Sequence, residues 1–191
     1  MSWSPNRVFT ASAGSETSAE PSVESLVAQH YAFIWRLLRG LGLSRTDAED
    51  AAQQVFMIAA RKLHRISPDR ARSFLYGTAL RVASTARRGI QRRRETARES
   101  DEGVDAECRG PERMAEIRKA QALLHELLSK LPDKLRRVVV LAEVEQLEIQ
   151  EIAALERIPV GTAGSRLRLA RGRLRELLAA ARHRNPFAGE P

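Results

Sequence analysis

The chain has 191 residues, enough for one ordinary domain or two small ones, and 43% of them are hydrophobic, enough for a packed core. Aromatic residues make up only 5%, so a core of Leu, Ala, Val and Ile favours helices over a β-sandwich. A formal net charge of +8 favours a polyanionic partner, because Lys and Arg release counterions from a phosphate backbone, although a solubilising surface gives the same sum. Cys108 is the only cysteine, which excludes an intramolecular disulfide and a Cys-rich metal site and suits a reducing compartment. The chain has no apolar run of membrane-spanning length and no basic-then-apolar start typical of a signal peptide. The expectation is a cytoplasmic protein without membrane insertion.

Residues 1–21 are rich in Ser, Ala, Thr and Glu without an apolar period, and read as a disordered tail. Val23, Leu26, Val27, His30, Ile34, Leu37, Leu38 and Leu41 then fall on one helical stripe that Gly40 and Gly42 end. On that stripe His30 reads as a core histidine. A second helix opens near Thr46, with Glu49 completing a capping box, and buries Ala48, Ala51, Ala52, Val55, Phe56, Ala59 and Leu63. Ser67-Pro68-Asp69 is a turn. A third helix, from about Arg72 to Arg93, buries Phe74, Leu75, Thr78, Ala79, Val82 and Ala86.

An Arg-rich run then gives way to Glu95, Glu99, Asp101, Glu102, Asp105, Glu107 and Glu112, with few large apolar residues among them. This stretch, residues 95–112, reads as a flexible acidic linker. Cys108 inside it is either a redox-sensing thiol or incidental. Ile117, Ala120, Leu124, Leu127, Leu128 and Leu131 define a fourth helix, and Pro132 suits the first turn of a fifth, carried by Leu135, Val138, Val139 and Ala142. Ile149, Ile152 and Ala153 mark a short sixth, and Ala163, Leu167, Ala170, Leu174, Leu177 and Leu178 a long seventh. The fold class is all-α: two small helical domains, residues 22–94 and 113–182, joined by the linker and followed by a tail, 183–191.

Residues 149–171, IQEIAALERIPVGTAGSRLRLAR, carry the most specific local signal. A short helix with small Ala153 at its packing face meets a tight turn, and a longer basic helix begins at Pro159. This is the order of a helix-turn-helix, whose second helix enters the major groove. Its outward side offers Thr162, Ser165, Arg166 and Arg168, where Arg can make a bidentate contact to guanine and Ser or Thr can reach phosphates. A solvated face of an ordinary amphipathic helix would show the same charges. Gly164 inside this helix costs about 1 kcal/mol relative to Ala.

These residues carry a family resemblance. LPDKLRRVVVLAEVEQLEIQEIAALERIPVGTAGSRLRLARGRLRELL, from Leu131 to Leu178, resembles the promoter −35 recognition domain of bacterial sigma factors. The matching pattern is Leu131-Pro132, Arg136, Glu151-Ile152-Ala153, Ile158-Pro159, Gly161-Thr162, Ser165-Arg166-Leu167 and Ala170-Arg171. DAEDAAQQVFMIAARKLHRI, from Asp47 to Ile66, resembles the family's polymerase-binding helix, and SFLYGTALRVASTARRGIQRRR, from Ser73 to Arg94, resembles its −10 element helix. No room remains for the additional domains of primary sigma factors, so the resemblance is to the extracytoplasmic-function group. The departures are Phe74-Leu75 for Trp-Leu, Arg81 and Thr85 for Asn and Asp, Glu148 for the Ser cap, Arg157 for the turn Gly, and Ala163-Gly164 for Val-Lys. They imply a divergent subgroup with its own promoter.

The resemblance implies binding to core RNA polymerase through Asp47, Glu49, Asp50, Gln53, Gln54 and Phe56, whose carboxylates also suit the positive end of a helix. It implies capture of a melted −10 strand by the loop from His64 and the helix after it. A melted strand needs a basic track and a surface for unstacked bases; His64, Arg65, Arg70, Arg72, Arg81, Arg88 and Arg92 can supply the first. Tyr76 and Phe74 are stacking candidates whose other role is core packing, with Phe74 favouring the core. For the −35 duplex the candidates are Arg136, Arg137, Thr162, Ser165, Arg166, Arg168 and Arg171. The implied partners are core polymerase, promoter DNA and an anti-sigma factor. No cofactor, metal site or catalytic centre is expected, since the sequence has no phosphate-binding glycine loop, no metal-spaced His/Cys cluster and no nucleophile motif. The competing reading is a helix-turn-helix regulator that acts without polymerase.

Overall fold

A computed structural model of the chain describes residues 22–96 and 112–184, and in them seven α-helices. The N-terminal tail, most of the acidic linker with Cys108, and the last residues fall outside the described residues. Helices α1 (Val23–Gly40), α2 (Arg45–Ala60) and α3 (Ala71–Thr96) form a first cluster, and α4 (Glu112–Ser129), α5 (Asp133–Val139), α6 (Ile149–Glu156) and α7 (Val160–Arg184) a second. The clusters are packed on one another, and one apolar core runs through both.

Local chemistry sets the boundaries. Ser22 caps α1 by accepting from the Ser25 N–H at 3.1 Å. Gly42, at φ +96, turns the chain out of α1, a conformation that suits a residue without Cβ. The sequence predicts the cap of α2 at Thr46, but the structure puts it two residues earlier. Ser44 Oγ accepts from the Asp47 N–H at 3.1 Å and donates to Asp47 Oδ2 at 2.6 Å. Ser44 therefore caps the helix in place of Thr46, with its hydroxyl tied to Asp47, and Glu49 pairs with Arg45. Leu63 falls beyond α2, in a 3₁₀ turn, and is only half-buried.

The α1 stripe holds Leu26, Ile34, Leu37, Leu38 and Leu41 in the core, together with Phe33. His30 is half-buried at the edge of the core, where burial first and Arg72 second hold its imidazole below the usual histidine range. On α4, Leu124 is 47% exposed in contrast to the expected burial, while Leu127 and Leu128 are buried.

Periodicity gives no warning of the end of α5. It runs into a π-helical turn, Val140–Val144, in which the Glu145 N–H reaches back to the Val140 carbonyl at 3.2 Å. The wider turn brings the Glu145 carboxylate inward onto Arg36 of α1.

In the helix-turn-helix, Glu151 accepts from the Glu148 N–H at 2.8 Å and caps α6 without the family's Ser. Arg157 then takes the left-handed conformation, φ 55, and the Ile158 N–H returns to the Ala153 carbonyl at 3.0 Å. Pro159 directly precedes α7 and accepts from the Thr162 and Ala163 N–H groups. A side chain in the left-handed region costs roughly 1–2 kcal/mol, part of which glycine returns through its freer unfolded chain. Arg157→Gly is therefore expected to stabilise the fold by about 0.5–1 kcal/mol, raising the thermal midpoint by about 2 °C in a calorimetric scan.

Candidate nucleic-acid interface

Two of the faces anticipated from sequence are largely open. On α2, Glu49, Asp50, Gln53 and Gln54 point to solvent, and Asp47 is half-buried as the partner of Ser44. Phe56 is buried in the core, where its ring stacks on Tyr31 with centroids 6.1 Å apart. It supports the face from beneath. Met57, 51% exposed, is the apolar residue on the outside, one helical turn from Gln53 and unmarked by the core stripe.

The second face is a cleft of about 730 Å³ between the clusters, walled by Arg65, Ile66, Arg70, Phe74, Leu80 and Arg81 on one side and by Arg137, Leu155 and Arg157 on the other. His64, Arg65 and Arg70 sit exposed on the short turns Leu63–Arg65 and Pro68–Arg70, and Arg81, Arg88 and Arg92 lie exposed along α3. Phe74 is half-buried and lines the cleft, so it offers a partial ring face. Tyr76 is the more buried of the two aromatics, 2% exposed, which reverses the sequence expectation. Its hydroxyl donates to Glu156 of α6, and burial, then that carboxylate, push the phenol far above its ordinary range. Arg72 lies over the Phe33 ring at 4.6 Å, with Glu151 at 3.8 Å.

The third face is the helix-turn-helix. Ser165 and Arg168 are exposed on α7, and Thr162 and Arg166 are half-exposed. Ser165 Oγ donates to the Thr162 carbonyl at 3.0 Å, and Arg171 pairs with Glu143 at 2.7 Å. Arg137 donates twice to Glu156, both at 2.8 Å. The Glu156 side chain, 2% exposed, also has Arg166 at 3.8 Å.

Arg136 stands apart from the other −35 candidates. Its buried guanidinium donates to the carbonyls of Leu128, Ser129 and Leu131 at 2.6, 2.7 and 2.9 Å, and to that of Leu41 at 3.2 Å. The last carbonyls of a helix have no intrahelical donor, and Arg136 satisfies those at the end of α4. In this structure it is a structural cap, with its guanidinium buried and donating to backbone carbonyls.

Sequence reading missed Glu156, Glu145 and Asp133, acids that hold arginines across the molecule. Arg36 donates to Glu145 at 2.9 and 2.8 Å, and Arg87 to Asp133 at 2.8 and 3.0 Å. Arg87 holds the Asp133 carboxyl below the ordinary carboxylate range. Among the described residues no group of three His, Cys, Asp or Glu side chains is placed to hold a metal, and no helix is long and apolar enough to cross a membrane.

Two packed helical clusters, one ending in a helix-turn-helix, define the class. Family models for sigma-70 region 2 and sigma-70 region 4 match residues 26–94 and 121–174. The chain is 32% identical over 177 residues to the ECF RNA polymerase sigma factor SigE of Mycolicibacterium smegmatis, covering 92% of this chain and 68% of the relative. Its fold is similar to that of CnrH in complex with the cytosolic domain of CnrY, with a TM-score of 0.62, 25% identity and coverage of 83% of this chain and 88% of that one. It is also similar to that of the sigma factor RpoE in complex with the anti-sigma factor NepR from Bartonella quintana, with a TM-score of 0.58, 20% identity and coverage of 82% and 96%. The chain belongs to the extracytoplasmic-function group of bacterial RNA polymerase sigma factors. Proteins of this family bind core RNA polymerase and promoter DNA to start transcription, and they catalyse nothing themselves.

Proposed function

We propose a division of labour between the two clusters. The domain 22–94 docks on core polymerase and takes the melted −10 strand; the domain 113–182 reads the −35 duplex; residues 95–112 tether them. Tethering two modest DNA sites raises avidity and fixes their spacing without new contacts. The observation that carries the reading is the order of the two region matches, each on its own helical cluster, with the second on a helix-turn-helix.

The polymerase face is Glu49, Asp50, Gln53 and Gln54 with Met57, backed by Phe56 and Asp47. Exposed carboxylates around one apolar side chain give orientation and on-rate from the charges and affinity from the centre. The −10 strand follows His64, Arg65, Arg70 and Arg72, then Arg81, Arg88 and Arg92, with Phe74 as the stacking surface and Tyr76 available once α6 moves off it. Extruding a base costs a few kcal/mol, which a shaped pocket recovers while specifying sequence. The −35 contacts are Thr162, Ser165, Arg166 and Arg168, with Arg137 and Arg171 on phosphates. The cytoplasm, where polymerase and DNA are, is the working compartment. An anti-sigma factor is the regulatory partner, supported by the NepR complex of a protein with this fold.

The test is run-off transcription with core polymerase on a library of promoter fragments. Core-dependent initiation is expected at a subset sharing two elements at fixed spacing, with affinity falling steeply with salt. Arg166→Ala and Arg168→Ala are expected to weaken upstream-element binding by roughly 1–3 kcal/mol per lost base contact. If both variants bind and initiate like the parent, the recognition helix is misassigned. Asp50→Lys combined with Met57→Asp is expected to lower retention on immobilised core polymerase by at least about 2 kcal/mol with unchanged helicity by circular dichroism. Full retention would remove α2 as the docking face.

A further inference from the structure

Leu169 is the most exposed large apolar side chain among the described residues, 54% open to solvent on the Arg-rich helix α7. The other apolar residues of its stretch do what an amphipathic helix requires. Ala163 and Ala170 are buried, and Leu167 and Leu174 pack on the core. Leu169 stands on the opposite side. At about 100° per residue it falls within about 40° of both Thr162 and Ser165. The three side chains make one row, spaced three and four residues apart. The row is about 10 Å long at about 1.5 Å per residue, inside the roughly 12 Å width of a major groove. If Thr162 and Ser165 reach base edges, Leu169 reaches them too.

An exposed leucine is ordinary on a protein surface, and several together mark a protein-docking patch. Leu169 has no such company. One helical turn away lie Ser165, Arg166, Gly172 and Arg173, all small or charged. A Cβ placed on Gly172 would meet nothing within 4 Å, so that side of the leucine is open. Val160, the other exposed large apolar residue of α7, lies nine residues away and about half a revolution round the helix. One branched alkyl group therefore stands alone on a cationic face. That matches a single feature of the major groove in size and polarity, the C5-methyl group of thymine. A cytosine amine at the same place would lose its water without gaining an acceptor.

We propose that Leu169 is a specificity residue of the recognition helix and reads the methyl group of one thymine in the upstream element. Ser165 and Arg168 beside it supply the polar contacts, and Leu169 supplies the apolar one that separates thymine from cytosine. This rests on the assignment of α7 to the −35 duplex above and adds a base preference to it.

The test uses the full chain with core polymerase on a promoter selected from the fragment library. Each thymine of the upstream element is replaced in turn by deoxyuridine, which lacks only the C5-methyl group. At one position the parent is expected to bind about threefold to fivefold more weakly, the loss that goes with one buried methyl. Leu169→Ala is expected to weaken binding to the unmodified promoter by about the same factor. It should then be indifferent to deoxyuridine at that position and respond like the parent at the others. Its thermal midpoint should not fall, since alanine is the stronger helix former at an exposed site. Equal responses of parent and variant to deoxyuridine at every position overturn the proposal. So does a variant that binds the unmodified promoter like the parent, or one that is lost from immobilised core polymerase without DNA, which would make Leu169 a polymerase contact. Arg166→Ala and Arg168→Ala that both bind like the parent fail the recognition-helix assignment instead, so the two failures are distinguishable.

Discussion

Arg136→Ala is expected to destabilise the protein by about 3–5 kcal/mol, read as a drop in the urea midpoint, while leaving the salt dependence of DNA binding unchanged. The buried guanidinium donates to carbonyls of Leu128, Ser129 and Leu131 at the end of α4 and reaches Leu41 at the end of α1. Removing it strands the buried Leu41 and Leu131 carbonyls, while Leu128 keeps the Leu131 N–H at 3.1 Å, and each unsatisfied buried acceptor costs about 1–3 kcal/mol. Lysine is a poor substitute, because one ammonium cannot reproduce the planar fork that reaches carbonyls on both helices. The salt measurement separates this role from a phosphate contact, whose loss would lower the slope of log K against log salt by about one. A variant within about 1 kcal/mol of the parent, or one with a lowered salt slope, would put Arg136 back on the DNA face.

The contrast between Arg136 and Arg168 shows what the sequence could and could not reveal. Both are arginines near the helix-turn-helix, and both fit a basic patch. Apolar periodicity correctly separated the helices and the buried faces of α2 and α7, because a helix that packs on one side must repeat its apolar residues every three to four positions. Caps were less legible. Ser44 and Thr46 both begin plausible capping boxes, and only the geometry of Asp47 decides between them. The turn at Arg157 was visible as a departure from glycine, and the structure holds the left-handed conformation regardless.

Pairing across the molecule left no trace in the pattern. Arg36 and Glu145 are separated by 109 residues, Tyr76 and Glu156 by 80, and Arg87 and Asp133 by 46. A charge on a helix surface reads as solvated until its partner is known, and no local rule supplies that partner. The exchanged burial of Phe74 and Tyr76 has the same origin. Tyr76 faces the second cluster, and what covers it lies on α6.

Glu156→Ala is expected to lower stability by about 3–5 kcal/mol and to weaken upstream-element binding in the same variant, because it breaks a buried pair by removing one partner. Arg137 of α5 would keep its charge at the site without the two 2.8 Å bonds that now satisfy it. Glu156 ends α6, Arg157 follows in the left-handed turn, and α7 starts at Val160, so the Arg137–Glu156 bond anchors the residue next to the turn that leads into the recognition helix. Tyr76→Phe is the internal control. It removes a bond between clusters but leaves both bonds from Arg137, and is expected to cost only about 0.5–1.5 kcal/mol with upstream binding retained. The two changes should be non-additive, since the hydroxyl has no carboxylate to meet once Glu156 is gone. Arg137→Met together with Glu156→Leu should recover much of the stability, because an apolar pair of similar volume leaves no buried charge unpaired. Upstream binding should stay reduced, since the same change removes the Arg137 phosphate contact. A Glu156→Ala variant that unfolds at the parent's urea midpoint would show that Arg137 finds water or another acid instead, and the bond could no longer be assigned the task of anchoring the turn.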